Sequence, residues 1–280
     1  MKNYLTLLRD VLDNGTRKPT RAKLSDGNHV EALSVFGRSL RFNLADGFPL
    51  VTTKRVSWKT ALVELTWMLS GDTNIRYLND KGVHIWDAWA DANGDLGPVY
   101  GAQLRRWQAF DGEIDQVAQL LNDIRAVVAD PTASPGRRLI LSMWNVGELS
   151  KMALPPCPMV CQFNVTDGKL SCLVYQRSAD LFIGLPYDIA VYAMLTHMIA
   201  QLSKLDVGEL IFSIGDAHIY ANHIEQVKEQ LTRDPRPLPS ATCEVGVMWE
   251  VDRKVAKIKI HKLRVNDYDP CGEIRGEVAV

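Results

Sequence analysis

The stretch YQRSADLFIGLPYDIAVY, residues 175–192, places an arginine, a serine, two aspartates, a glycine and a proline in close succession. Upstream of it, Leu154-Pro155-Pro156-Cys157 presents one thiol directly after two prolines. Proline fixes its own φ and holds the preceding residue extended, so the pair can aim Cys157 out of a strand end. A thiolate there is a nucleophile for an electron-poor carbon. A lone cysteine is more often a buried structural residue. Cys157 and Cys161 also have CxxxC spacing, but a zinc site needs a second closely spaced Cys/His pair, which this sequence lacks.

A second group suits an anion. Arg21, Arg137, Arg138, Arg177 and Ser178 form a candidate phosphate set. Guanidinium groups meet phosphate oxygens two at a time, and a hydroxyl adds another hydrogen bond. The alternative for Arg137-Arg138 is a solvated charge pair ahead of a strand. Arg177 has apolar strand neighbours, and an arginine buried among them needs an anion. Glu64 sits in the apolar run ALVELTWML. Burial there raises a carboxyl toward neutrality, which suits proton shuttling, unless the side chain turns to water at an edge. Trp86, Trp89 and Tyr100 flank a glycine turn in IWDAWADANGDLGPVYG. Such rings stack a flat heterocycle or simply fill a core. His218 and Tyr220 in GDAHIYANH can hydrogen-bond a sugar hydroxyl, although a lone histidine in such a run is more often structural.

These groups need elements to hold them. The N-terminal segment reads as an amphipathic helix ending at Gly15, a left-handed cap. Residues 17–33 read as loop, 35–43 as a strand and 58–69 as a buried helix. The glycine-punctuated segment 94–107 reads as site lining. Apolar spacing through Ile114, Val117, Leu120, Leu121 and Ile124 predicts a helix over 113–129. A strand is expected over 139–144. Strands over 160–165 and 170–176 are joined at Asp167-Gly168, a hairpin signal. An apolar helix over 189–202, a strand over 210–214 and a helix near 220–231 follow. Strands near 243–250 and 255–262 complete the core. Strands and helices interleave without regular βαβ alternation. The expected fold class is therefore α+β, a large mixed sheet flanked by helices, in one domain over 1–280.

Composition removes several classes. The hydrophobic share is 46% and the charged share 23%, an ordinary soluble balance for a chain of 280 residues. A net charge of −1 supplies no basic field for a nucleic-acid polymer. No apolar run reaches bilayer length, and the acidic, helical start is not a signal peptide. Five cysteines, an odd count mostly within apolar strands, suit reduced thiols in the cytoplasm better than a disulfide framework.

The stretches RFNLADGFPLVTTKR, ELTWMLSGDTNI, WDAWADANGDLGPVYG, RRLILSMWNVGEL, LPPC, YQRSAD, GLPYDIA and GDAHIYANH together closely resemble the thymidylate synthase family, over nearly the whole chain. That resemblance implies an obligate homodimer, with a sheet face as its interface. It implies transfer of a one-carbon unit from 5,10-methylenetetrahydrofolate to C5 of a pyrimidine nucleoside monophosphate, without a metal. It makes Cys157 the nucleophile at C6 and Glu64 the proton-transfer carboxylate. Arg21, Arg177 and Ser178 hold phosphate, with Arg137 and Arg138 reaching it from the partner subunit. His218 and Tyr220 bind the sugar, and Asp180 contacts base and pterin. Lys54, Ile85, Trp86, Trp89, Leu154, Gly184, Tyr187 and Val280 resemble the folate-side surface.

Three departures from the family pattern matter. Asp188 stands where a thymidylate synthase has asparagine, at the position that reads the pyrimidine edge. Uracil offers N3–H and O4, which an amide satisfies. Cytosine offers a bare N3 and a 4-amino group, which suits a carboxyl. In this family aspartate here marks the cytidylate enzymes, so Asp188 joins the catalytic set. Pro158 replaces the histidine after the nucleophile, and the loop after Arg21 is long, AKLSDGNHVEA. The expected activity is dCMP hydroxymethylation. Trp86, Leu154 and the terminal Val280 keep dCMP methylation open as the alternative. Thymidylate synthesis from dUMP and a silent nucleotide- or RNA-binding relative are the remaining readings. A cytidylate-modifying member suits a virus with modified DNA cytosines, acting in the host cytoplasm, or a nucleoside-antibiotic pathway.

Overall fold

The computed structural model describes residues 1–250 and 255–280. The chain runs through α1 (Lys2–Asn14), β1 (Thr16–Lys18), β2 (Ala32–Asn43), α2 (Trp58–Ser70), α3 (Arg76–Asn79) and α4 (Tyr100–Arg105). It continues through β3 (Trp107–Ala109), β4 (Gly112–Ile114), α5 (Gln116–Ala129), β5 (Ile140–Ser142), β6 (Pro158–Thr166) and β7 (Lys169–Asp180). Then come α6 (Gly184–Leu202), β8 (Asp206–Tyr220), α7 (Ile224–Leu231), β9 (Ser240–Glu250) and β10 (Val255–Asn266). Six strands make one sheet in the order β1-β2-β8-β7-β6-β5. Only β7 and β8 pair in parallel. The fold is therefore α+β with a large mixed sheet, as the interleaved pattern predicts.

A parallel pair needs a crossover, and α6 supplies it. This helix is buried from Leu185 to Ala200 on nearly every side, which its unbroken apolar sequence requires. It begins at Gly184, before the expected residue 189. Pro186 falls in the first turn, where no backbone N–H is needed. The Asp180 carboxylate accepts from the N–H groups of Phe182 at 3.0 Å and of Ile183 and Gly184 at 3.3 Å. Asp188 consequently sits on the second turn of a rigid core helix.

Other boundaries shift for local reasons. His218 and Tyr220 lie on β8, which runs to Tyr220, and the following helix α7 is shorter than 220–231. Helix α5 starts at Gln116 because the Asp115 side chain caps it, accepting from Ala118 N at 3.0 Å. Residues 112–114 pair as a strand instead. The expected strand 139–144 narrows to Ile140–Ser142. Strand β1 and the start of β2 fall within the expected loop 17–33, and α4 lies inside 94–107. Gly15 is extended (φ −69), not a left-handed cap. A Cβ there would lie 2.3 Å from Val11 O, which is what excludes larger residues. The turn Asp167-Gly168 has positive φ at both residues, 50 and 69, and joins β6 to β7 as expected. Strands β9 and β10 pair with each other rather than extending the main sheet, and Leu263 and Val265 of β10 enter the core.

Close strand packing sets one mutational expectation. Gly215 of β8 lies against the Arg177 backbone, and a Cβ there would sit 2.8 Å from Arg177 O. Gly215→Ala is expected to destabilise the protein by about 1–3 kcal/mol, read from urea unfolding. An unchanged midpoint would mean that β7 and β8 can part without cost.

Candidate active site

A cavity of about 660 Å³ opens at the C-terminal ends of β7 and β8. Cys157, Arg177, Ser178, Asp180, His218 and Tyr220 line it, with Arg21 near its rim. Trp89, Trp144, Leu154 and Val280 add apolar lining, with the Trp144 ring centroid 5.6 Å from the Arg177 guanidinium. The strand register explains the convergence, since Ser178 pairs with Asp216 and Asp180 with His218. Two motifs far apart in sequence thus lie side by side.

Cys157 is held from several directions. Its N–H donates to Tyr100 Oη at 3.0 Å, and its carbonyl accepts from Arg177 N at 2.8 Å. The Arg177 guanidinium donates to Pro156 O at 2.8 Å and Pro155 O at 2.7 Å, and lies 3.7 Å from Cys157 Sγ. Burial raises the thiol's pKa, the Arg177 and Arg21 charges oppose the rise, and Asp188 adds to it. The two prolines thus supply carbonyls that fix the cation beside the sulfur.

Behind the thiol lies a second cavity of about 50 Å³, lined by Glu64, Met68, Trp86, Tyr100, Pro158, Asp188, Val191 and Tyr192. Burial pushes Glu64 up to about 7, against the Trp86 indole N–H that donates to its Oε1 at 2.8 Å. Burial likewise pushes Asp188 up to about 7, against a hydrogen bond from Gln176, while Glu64 and Asp180 raise it further. Two carboxyls that titrate near neutrality face one small polar space. Trp86 packs edge-on against Trp89 and Tyr100, with ring centroids 5.7 and 5.9 Å apart.

On the sugar side, Asp216 accepts from Ser34 Oγ at 2.7 Å, is bonded to Lys18, and lies 3.3 Å from His218 Nδ1. Burial pushes this carboxyl up, but hydrogen bonds from His218, Lys18 and Ser34 outweigh it and hold it below the usual range. The long loop after Arg21 turns back at Gly27, and Lys23 exchanges backbone hydrogen bonds with Val280 at 2.7 and 2.9 Å. Arg21 therefore still reaches the cavity, and the chain's last residue is tied to its rim.

Six of the expected site residues lie outside both linings. Lys54 turns inward, its ammonium bonded to Phe182 O and 3.5 Å from the Phe182 ring centroid. Burial lowers its pKa to about 8, opposed by Asp180. Ile85 is 38% exposed, and Tyr187 and Gly184 sit in the first turn of α6. Arg137 and Arg138 are exposed in the turn before β5, where Arg138 donates to Ser134 O at 3.0 Å. Trp144, Gln176 and Asp216 are contributors that motif reading passed over. Gln176 and Asp216 each stand beside a residue that was singled out.

The family model described as thymidylate synthase matches residues 2–280. The chain belongs to the thymidylate synthase family. It is accordingly a one-carbon transferase, of a family that uses methylenetetrahydrofolate as co-substrate and acts at C5 of a pyrimidine nucleotide. Thymidylate synthase family members bind both a nucleotide and a folate, and the larger cavity has both polar and apolar lining to offer them. No helix among the described residues is long and apolar enough to cross a membrane.

Two outcomes follow from this electrostatic arrangement. Removing the cation beside the sulfur by Arg177→Met is expected to raise the thiol's pKa and slow Cys157 alkylation by iodoacetamide about tenfold near neutral pH. Alkylation at the wild-type rate would show that Arg177 does not bias the thiolate. Glu64 has a folded-state value of about 7 against an ordinary 4.5. Its proton-linked stability is full below the ordinary value and is lost as pH rises through about 7. Glu64→Gln is therefore expected to gain about 3 kcal/mol relative to wild type between acid and mildly alkaline pH, measured by urea unfolding. A pH-independent difference would place Glu64 in water.

Proposed function

We propose that this enzyme transfers the one-carbon unit of 5,10-methylenetetrahydrofolate to C5 of dCMP, with 5-hydroxymethyl-dCMP as product. The observation that carries the reading is Asp188, a carboxyl near neutrality, beside Pro158 on the wall of the inner cavity. Cytosine presents an acceptor at N3 and a donor at its 4-amino group. A carboxyl that holds a proton on one oxygen and accepts on the other complements that edge. Proline at 158 offers no side-chain donor to a 4-oxo group, so uracil gains nothing there. Mismatched buried donors and acceptors cost orders of magnitude in selectivity.

In this reading Cys157 adds its sulfur to C6, and the electron pair moves to make C5 nucleophilic. When bound, the folate supplies an electrophilic methylene carbon at the apolar lining of Trp89, Leu154 and Val280. Arg21, Arg177 and Ser178 hold the phosphate, His218 and Tyr220 the sugar, and Asp180 the base and pterin. Glu64, held by the Trp86 indole, takes the C5 proton through the inner cavity. Loss of that proton with departure of tetrahydrofolate leaves an exocyclic methylene at C5; water adds to it and the Cys157 sulfur leaves C6, and the cavity of about 50 Å³ has room for that water beside Glu64 and Tyr100. The second reading, dCMP methylation, draws on Trp86, which packs against Trp89 of the larger cavity, and on the tethered Val280, apolar groups that would keep water from the reacting carbon. Lys54, Ile85, Gly184 and Tyr187 complete the folate side, in part by positioning Asp180 and α6.

The same proposal makes the chain one catalytic unit that pairs into a homodimer. Phe36, Leu173, Tyr175 and Ile140 are exposed on the sheet strands, Phe36 by 80%, as a covered sheet face requires. Arg137 and Arg138, exposed and away from their own cavity, then complete the partner's phosphate site. Five free thiols suit a reducing, cytoplasmic compartment.

Incubation of the enzyme with methylenetetrahydrofolate and dCMP or dUMP in parallel, read by mass spectrometry and folate absorbance, tests the assignment. The expected product carries the added mass of CH2O on dCMP, with no dihydrofolate. Added CH2 with dihydrofolate establishes the methylase, and turnover of dUMP alone removes the cytidylate reading. Cys157→Ala is expected to abolish turnover while leaving nucleotide binding. Asp188→Asn is expected to shift preference toward dUMP by at least about a hundredfold.

A further inference from the structure

Gln176 lies on β7 one residue before Arg177 and is 1% exposed. Its amide Nε2 donates to Asp188 Oδ2 at 2.7 Å and to Ser178 O at 3.1 Å. Ser178 O is a backbone carbonyl and can only accept, so a flipped amide would set its own oxygen against it. The orientation is thereby determined, and it leaves Gln176 Oε1 buried with no hydrogen-bond partner. A buried acceptor without a partner is costly. The fold accepts that cost to aim both N–H groups at these two oxygens.

The consequence falls on Asp188. A neutral carboxyl whose proton is free to sit on either oxygen has two forms. One form complements cytosine and the other complements uracil, because the two bases exchange donor and acceptor along the same edge. Such a carboxyl would discriminate poorly. An oxygen that already accepts a short hydrogen bond from an amide is the poorer seat for a proton. Gln176 therefore leaves Oδ1 as the protonated position and removes one of the two forms.

We propose that Gln176 is the positioning residue for base selection, locking the proton of Asp188 onto one oxygen so that a single form remains, which the cytidylate reading takes as the cytosine-complementary one. The proposal rests on the cytidylate reading above. Other groups facing Asp188 set the charge around it: Glu64 from α2, Tyr100 from α4, Cys157 ahead of β6, Asp180 at the end of β7 and Tyr192 one turn further along α6. Only Gln176 hydrogen-bonds a particular Asp188 oxygen among the interactions of the described residues.

The test compares kcat/KM for dCMP and dUMP across pH in wild type, Asp188→Asn, Gln176→Met and Gln176→Glu. Gln176→Met removes the donor. The dCMP to dUMP ratio is expected to fall at least about tenfold. The pH limb that belongs to Asp188 is expected to move to higher pH, since the lost hydrogen bond had opposed the upward shift. Gln176→Glu replaces the donor by an acceptor, draws the proton to Oδ2 and is expected to lower the ratio further. Should Gln176→Met not fold, as judged by its melting temperature, Gln176→Glu decides alone through the same two readouts. Equal losses on both substrates with an unmoved pH limb would mark Gln176 as merely structural and overturn the inference. That outcome, with Asp188→Asn still switching a dCMP-preferring enzyme toward dUMP, would leave the cytidylate reading standing. A wild type that turns over only dUMP would overturn both.

Discussion

The parallel pairing of β7 with β8 is the constraint on which the rest of the site depends. It sets Ser178 beside Asp216 and Asp180 beside His218, so the anion-binding and sugar-binding candidates share one strand edge. Because a parallel pair cannot be joined by a tight turn, it also demands a crossover. The crossover is α6, whose second turn carries Asp188 over the same edge. One topological requirement thus brings the β7 and β8 candidates to the larger cavity and Asp188 to the wall of the smaller one. Close approach of the two strands at Gly215 and Arg177 keeps that register tight.

Around this frame the site is organised by burial rather than by a dense field of charge. Cys157, Glu64 and Asp188 all have their pKa values raised, and in each case burial is the leading cause. Each is then opposed by one well-placed partner: Arg177 for the thiol, the Trp86 indole for Glu64 and the Gln176 amide for Asp188. This balance keeps proton-transfer groups close to neutrality, where they can both take and release a proton. It also couples them, because Glu64 and Asp188 face one cavity and each disfavours the other's ionisation.

The loop after Arg21 and the C-terminal residues meet at the rim of the larger cavity. The loop after Arg21 folds back at Gly27, and its Lys23 backbone pairs with Val280, while Glu277 accepts from Ser25 N at 2.6 Å. His223 and Asn222 at the end of β8 bond the carbonyl of Glu277 at 2.8 and 3.0 Å. The tail is thus held from both sides, by the N-terminal loop and by the strand that carries the sugar-side residues. The loop after Arg21 is, in the fold, a brace for the C-terminal residues.

The sequence by itself determined the family, the fold class and the chemistry of the individual groups. Contiguous motifs such as LPPC, YQRSAD and GDAHIYANH carry that information locally, and Asp167-Gly168 announces its hairpin because only certain residues tolerate positive φ. It was less informative at the start of α6, expected at 189, where Gly184 and Pro186 in fact occupy a first turn whose Gly184 N–H donates to Asp180. The strand expected to end at 214 left His218 in no element and Tyr220 at the start of a helix, because short-range periodicity does not reveal how far a strand is extended by its neighbours. The inward turn of Lys54, the hydrogen bonds that orient Gln176 and the partition of the site into two cavities were decided only by tertiary structure. The physical reason is common to all three. Burial and hydrogen-bond geometry belong to pairs of residues far apart in the chain, and no local spacing specifies which oxygen an amide will face.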